Sequence, residues 1–299
     1  MRKYIIITDS CSDLPKEYRE KYDIKYLPNT YSYDGKTFEA NLDWNEKDAK
    51  EFYDIMRNGT RILTSQVNAT KYEEAFEKAI AEGYDVLSIS TSSGLSSSYK
   101  TSCMVRDQIL AKYQDAKIIC IDSLMSCLGQ ALICIHAAEL RDEGKSIEEV
   151  AKWVEENKLK MHQEATTDKL IYLKQAGRVS ATSAFFGGLL NIKPIIISDI
   201  HGKNVAVEKV KGRKASFIRI AQRIKERIVD FPYQRIFIGH ADCLEDALEF
   251  KKILEETIDI SKIEVNISYI CQLIGASVGP GMIGVYYYGV EETYDSEGK

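Results

Sequence analysis

Short apolar runs and longer amphipathic ones alternate through the first half of the 299-residue chain. Ile5-Ile6-Ile7, Val86-Leu87-Ser88-Ile89 and Ile118-Ile119-Cys120-Ile121 are apolar almost throughout, the pattern of strands covered on both faces. Each runs into a polar turn of small residues: Thr8-Asp9-Ser10, residues 90–93, and Asp122-Ser123. Helical stretches lie between them, at 45–57 before Asn58-Gly59, at 70–82 before Gly83 and at 129–143 before Gly144. A glycine just past the last periodic residue takes the left-handed conformation that closes a helix. Ser146-x-x-Glu149 is a capping box that opens the next one. This alternation predicts a three-layer α/β/α domain around a parallel sheet, over residues 1–160.

After residue 160 the strand signals come in adjacent pairs. Residues 195–198 and 205–210 are joined by the hairpin-like connection Asp199-Ile200-His201-Gly202-Lys203. Residues 263–269 alternate with period two, and helical patterns occupy 215–229 and 244–257. The expectation is a second, two-layer α/β domain over 161–299, with a mixed sheet and helices mainly on one side. No repeat or low-complexity linker stands out, and 291–299 reads as a fraying end.

Composition narrows the function classes. Hydrophobic residues make up 44% and charged residues 28%, ordinary for a globular chain with a sizeable core. The net charge of −5 supplies no field to gather nucleic acid or anionic membrane. No apolar run approaches the roughly 20 residues of a membrane span, and the start is too short and too soon polar for a secretion signal. A cytoplasmic protein without stable membrane insertion is expected. The seven cysteines (11, 103, 120, 127, 134, 243 and 271) include no Cys-x-x-Cys. They read as reduced, buried small hydrophobes, with no metal site or cofactor.

Ligands of open parallel sheets collect at the carboxyl ends of strands, and the loops expected there are rich in hydroxyls. Thr64-Ser65-Gln66 precedes Asn68, a helix cap, and residues 92–99 run from a strand into a helix. Free amides and hydroxyls at a helix start can seat a carboxylate or phosphate, although the same residues can serve as caps alone. The glycines of Gly275-Ala276-Ser277-Val278-Gly279-Pro280-Gly281 permit special turns or close approach, but the segment lacks the Lys-Ser/Thr of a phosphate loop. No Gly-x-Ser-x-Gly elbow occurs, and His136, His162, His201 and His240 have no companion motif. Basic residues group at 209–214, either a solvated turn or a docking patch, and Arg178 follows Gly177 after a helix.

Read in order, the motifs resemble the DegV family of bacterial lipid-binding proteins along essentially the whole chain. The marks are Ile7-Thr8-Asp9-Ser10 with Ser12-Asp13-Leu14, Thr64-Ser65-Gln66, Ser92-Ser93-Gly94-Leu95-Ser96 and Ile121-Asp122-Ser123. Leu173-x-x-x-Gly177-Arg178, His240-Ala241 and Gly275-x-x-x-Gly279-Pro280-Gly281 complete them. The resemblance implies a two-domain α/β protein holding one long-chain fatty acid, carboxylate near the domain interface and tail in a closed tunnel beneath Leu95 and Leu273. It implies the acyl-carrying subunit of a fatty acid kinase, no enzyme alone, whose separate ATP-binding partner makes the acyl phosphate used in phospholipid synthesis. By the same resemblance Thr64 and Ser96 bind the carboxylate, with Ser65 beside Thr64. Arg178 contacts the head group or partner, and Lys211 stands where kinase-binding relatives carry an Arg. Ser277 stands where the family usually has a His, and Ser97 where it has a Gly; Ser277 keeps one hydroxyl donor and lacks the ring.

The physics suits a fatty acid. Each buried methylene contributes about 0.8 kcal/mol, so about 14 of them offer about 11 kcal/mol before ordering costs. The carboxylate drawn in behind them needs donors, or its burial cancels several of those kcal/mol. The competing expectation is a hydrolase or small-molecule transferase using Ser96 or Ser65 at the same inter-domain cleft.

Overall fold

The computed structural model describes residues 2–180 and 191–298. The chain opens with β1 (Tyr4–Asp9), α1 (Lys16–Lys21) and β2 (Lys25–Leu27), then a hairpin of β3 (Thr30–Tyr33) and β4 (Lys36–Glu39). There follow α2 (Glu46–Arg57), β5 (Leu63–Ser65), α3 (Ala69–Ala81), β6 (Asp85–Ser90), α4 (Ser98–Leu110), β7 (Ile118–Asp122), α5 (Cys127–Asp142) and α6 (Ile147–Asn157). The three apolar runs form β1, β6 and β7 of a parallel sheet in the order β2-β1-β6-β7, whose edge strand β2 was not anticipated. Alternation along each strand divides its side chains between two cores. Ile7, Val86, Ile118 and Cys120 pack on α3 and α4, while Ile6, Leu87, Ile89 and Ile121 pack towards α1, α5 and α6. The helix ends follow the glycine and capping signals, and Ser146 with Glu149 makes both hydrogen bonds of the capping box.

The second half holds β8 (Met161–Thr166), α7 (Ile171–Ala176), β9 (Ile192–Ser198), β10 (Asn204–Lys211), α8 (Arg213–Arg227) and β11 (Arg235–His240). It ends with α9 (Leu244–Thr257), β12 (Glu264–Tyr269), α10 (Gln272–Val278) and β13 (Ile283–Tyr288). These strands form a mixed sheet, β10-β9-β8-β13-β11-β12, in which only the β11–β12 pairing is parallel. The fold is therefore α/β with two domains, one parallel and one mixed sheet. Helices α8 and α9 cover one face through Phe217, Ile220, Phe250 and Leu254.

The other face of the mixed sheet is not bare. Ala165, Ile196, Phe237, Tyr286 and Tyr288 share a core with α5, whose residues from Cys127 to Glu139 are all buried. A helix apolar on every side needs cover on every side, and α5 finds it between the two sheets. Arg235 on β11 clamps this junction, donating to Glu139 on α5 at 2.7 and 3.2 Å and to Glu264 at 2.8 Å.

One expectation needs correction. Thr64 and Ser65 do not sit in a loop at the carboxyl end of a parallel strand; they lie on β5 of a separate antiparallel sheet, β4-β3-β5, with Thr64 opposite Tyr31. This sheet is built from short strands whose aromatic side chains, Tyr31, Tyr33 and Phe38, stack on one another at 5.2–5.3 Å across the hairpin. Residues 275–278 form the end of α10, and the strand expected after the glycines follows as β13.

All seven cysteines are free thiols, five buried and two half-buried. His136 is packed against Trp153 with ring centroids 4.1 Å apart, and burial pushes its pKa down to about 3. The fold accepts it only neutral. As pH falls below the ordinary histidine value near 6.5 the unfolded chain takes a proton that the folded chain refuses, so stability drops. Between pH 8 and pH 5 this site is expected to remove about 2 kcal/mol from the unfolding free energy. Urea titrations at the two pH values should show His136→Phe losing that much less than the parent, and an equal loss would contradict the assignment.

Candidate functional site

Where the carboxyl ends of β1 and β6 approach the second sheet, the chain surrounds about 770 Å³ of atom-free space, partly open to solvent. The cavity is slender and suits a chain rather than a globular ligand. Leu95, Leu173, Ile196, Ile270, Leu273, Ile274, Val278 and Met282 form its apolar wall. Thr64, Ser65, Ser96 and Ser277 line it too, as does Arg178, bringing together five of the six residues singled out in the sequence.

Two buried carboxylates hold the loops that frame this space. Asp9 accepts from the Cys11 amide at 3.0 Å, and from the Thr91 amide at 2.8 Å and hydroxyl at 2.6 Å, tying the ends of β1 and β6 together. Burial raises its pKa against those donors. Asp13 accepts from the Cys271 amide at 3.0 Å and so pins the start of α10; burial pushes its pKa up to about 6. Both belong to the first motif, Thr8-Asp9-Ser10 with Ser12-Asp13, whose acids were not read as positioning groups from the sequence. The polar wall residues Gln163 and Asn204 were missed as well. They lie on β8 and at the start of β10 and join by a 2.8 Å hydrogen bond, a pairing with no local sequence signal.

The glycines around α10 make room for the protein's own rings. A Cβ on Gly275 would stand 2.5 Å from the Tyr53 hydroxyl oxygen. One on Gly279, whose φ is +75°, would stand 2.1 Å from Tyr172. With α10 seated in this way, Ser277 faces the cavity, and its hydroxyl has only a long 3.5 Å contact to the Leu273 carbonyl. Thr64 and Ser65 have no hydrogen-bond partner for their hydroxyls among the described residues. Ser96 accepts from the Ser98 amide at 3.2 Å and shares a 3.0 Å hydrogen bond with the Ser98 hydroxyl, so it also serves the start of α4. Arg178 donates to the Leu95 carbonyl at 3.1 Å, bridging from the end of α7 to the loop beneath Ser96.

None of the four histidines lines the cavity. His240 is buried against Tyr269, with burial lowering its pKa to about 4, and His201 pairs with Asp295 at 3.0 Å. A serine nucleophile at position 96 or 65 therefore has no imidazole beside it. Lys211 is exposed at the end of β10, outside the cavity, while neighbouring Arg213 is held by Asp246 at 2.8 and 2.9 Å.

A second, wider groove lies against the first. It spans about 1490 Å³ of atom-free space and is lined by Arg57, Arg61, Lys169, Tyr172 and Gln175. Thr64, Ser65, Arg178 and Ser277 line both spaces, so the hydroxyls stand where the slender cavity meets the groove. Among the described residues no helix is long and apolar enough to cross a membrane, and no group of three or more His, Cys, Asp or Glu is placed to hold a metal.

Comparison with known proteins agrees along the whole chain. A DegV domain-containing protein of Clostridium perfringens is 39% identical over 289 residues, 97% of this chain and 98% of its own. Among solved structures, DegV of Bacillus subtilis, a fatty acid binding protein, superimposes with a TM-score of 0.81 at 28% identity, covering 97% of this chain and 100% of that one. A DegV lipid binding protein from Thermotoga maritima gives a TM-score of 0.83 at 26% identity with the same coverage. The family described as uncharacterised protein, DegV family, matches residues 3–290, and the chain belongs to it.

Proposed function

We propose that this chain binds one long-chain fatty acid in the slender cavity, with the alkyl tail among Ile196, Ile270, Leu273 and Met282. The carboxylate lies at Thr64, Ser65, Ser96 and Ser277. The observation that carries the reading is an apolar, narrow space with unpaired hydroxyls at its junction with the outer groove. The Bacillus subtilis and Thermotoga maritima relatives, named as fatty acid and lipid binding, support it. Hydroxyl donors, with Arg178 at the same junction, satisfy the carboxylate's oxygens and leave it an anion able to attack phosphorus. The ligand lies between domains formed by residues 1–160 and 161–299 of a cytoplasmic protein.

In this reading the chain is not an enzyme alone. It presents the carboxylate to a separate ATP-binding kinase subunit, which brings Mg²⁺ and ATP and forms the acyl phosphate. Exposed Arg178 and Lys211 are the contacts for the head group and that partner; Lys211 offers a charge without the bidentate fork of an arginine.

Thr64→Val tests the head-group assignment, because it keeps the shape and removes the donor. A hydrogen bond to a charged group contributes about 1.5–3 kcal/mol, so calorimetric titration with hexadecanoate should show binding weakened at least about tenfold, with the melting temperature little changed. Unchanged affinity would remove Thr64 from the site.

A further inference from the structure

We infer that Cys103 and Cys120 form a redox modification site, a thiol pair that a hydroperoxide converts to a disulfide between α4 and β7. The site stands apart from the acyl cavity: neither cysteine lines it, and the inference does not depend on what the cavity holds. Tyr99, Cys103 and Arg106 share one face of α4, because residues three and four apart are neighbours on a helix. That face lies on the parallel sheet, where Cys120 points towards α3 and α4 and packs in one core with Val86, Val105 and Ile109. Tyr99 and Cys103 pack against the rim of the same core. There the Cys120 thiol, which is buried, hydrogen-bonds with Cys103, which is half-buried.

A thiol reacts with peroxide as the thiolate, so its reactivity follows whatever stabilises that charge. The hydrogen bond from Cys120, assisted by the Tyr99 hydroxyl, the Arg106 guanidinium and the Ser102 hydroxyl, holds Cys103 below the ordinary cysteine range despite its partial burial. The same hydrogen bond, together with burial, pushes Cys120 up, so the buried member keeps its proton and the half-buried one carries the charge. The other five thiols lack this arrangement. Cys243 is half-buried too, but burial pushes it up to about 12, and its thiol donates to the Met282 carbonyl at 3.4 Å. Cys11, Cys127, Cys134 and Cys271 are buried; burial raises all four, and the charge of Asp9 or Asp13 adds to it.

The Cys103 thiolate attacks one oxygen of the hydroperoxide. An S–O bond forms, the O–O bond breaks, and the leaving hydroxide or alkoxide takes up a proton equivalent to the one Cys103 gave to solvent. The sulfenic acid then meets Cys120: an S–S bond forms, the S–O bond breaks, and the hydroxyl departs as water with the Cys120 proton. With hydrogen peroxide the pair becomes one disulfide and the peroxide becomes water. The sulfurs begin in hydrogen-bond contact and have only to close to about 2.05 Å.

The test treats the full chain with hydrogen peroxide at neutral pH and follows intact mass and peptide maps. Cys103 should be consumed at least about tenfold faster than Cys243, its half-buried counterpart. The product should lose the mass of two hydrogen atoms, show a cross-link between Cys103 and Cys120, and regain that mass with dithiothreitol. Cys120→Ala should stop at the sulfenic acid, trapped on Cys103 by dimedone, and Cys103→Ser should leave Cys120 without a cross-link. Dimedone added to the parent during oxidation should also mark Cys103, which needs no variant and keeps the test open should Cys120→Ala lose structure. Equal consumption of Cys103 and Cys243 would overturn the inference. So would a Cys103 sulfenic acid that persists in the parent, or a cross-link from Cys103 to any cysteine other than Cys120.

Discussion

Ile274→Trp is expected to abolish fatty acid binding while the protein stays folded. Ile274 lies on α10, partly buried, with its side chain on the cavity wall. The cavity is slender, so an indole placed there takes the path proposed for the alkyl tail. Excluding even four methylenes costs about 3 kcal/mol, a loss of about a hundredfold or more in affinity. Filling an empty apolar space does not expose core, and any strain of overpacking is about 1–3 kcal/mol, too little to unfold a domain of ordinary stability. Titration of delipidated variant and parent with hexadecanoate, with circular dichroism alongside, checks this. A variant that binds as tightly as the parent would place the ligand elsewhere.

The second large effect concerns the junction that encloses the cavity. Arg235 and Glu139 are only 12% and 8% exposed, and Glu139 has the Tyr22 hydroxyl at 2.9 Å as its other donor. Arg235→Leu strands a carboxylate between α5 and the mixed sheet, which costs about 3–5 kcal/mol. Replacing Glu139 by leucine as well should restore most of it, because desolvating a matched ion pair consumes much of its attraction. Equilibrium urea unfolding of the parent, single and double variants measures both numbers. A single variant within about 1 kcal/mol of the parent would show that the clamp does not hold the two sheets together.

How much of this was legible in the sequence depends on the range of the interaction. Helices α2, α3 and α9 and strands β1, β6 and β7 of the parallel sheet followed from local periodicity and from glycines and caps, which act within a turn, whereas the three-residue edge strand β2 is too short to show a period. The aromatic hairpin of β3 and β4 was missed because its strands of four residues are too short for a period-two signal, and their partners are stacked rings across the hairpin. Thr64 lines the cavity but was placed on the wrong kind of element, since β5 exists only by pairing with β3. Five of the six chosen site residues converge on one space. Gln163, Asn204, Arg61 and Lys169 were invisible for the same reason that Arg235 and Glu139 were: residues far apart in the chain meet only once α5 is packed between two sheets.

The most direct measurement is mass spectrometry of the small molecules released when protein purified from a bacterial host is denatured. One long-chain acyl anion per chain is the outcome required by a slender apolar cavity with hydroxyls at its junction. Protein that releases none, and that when delipidated takes up neither hexadecanoate nor an unsaturated octadecenoate, would contradict it.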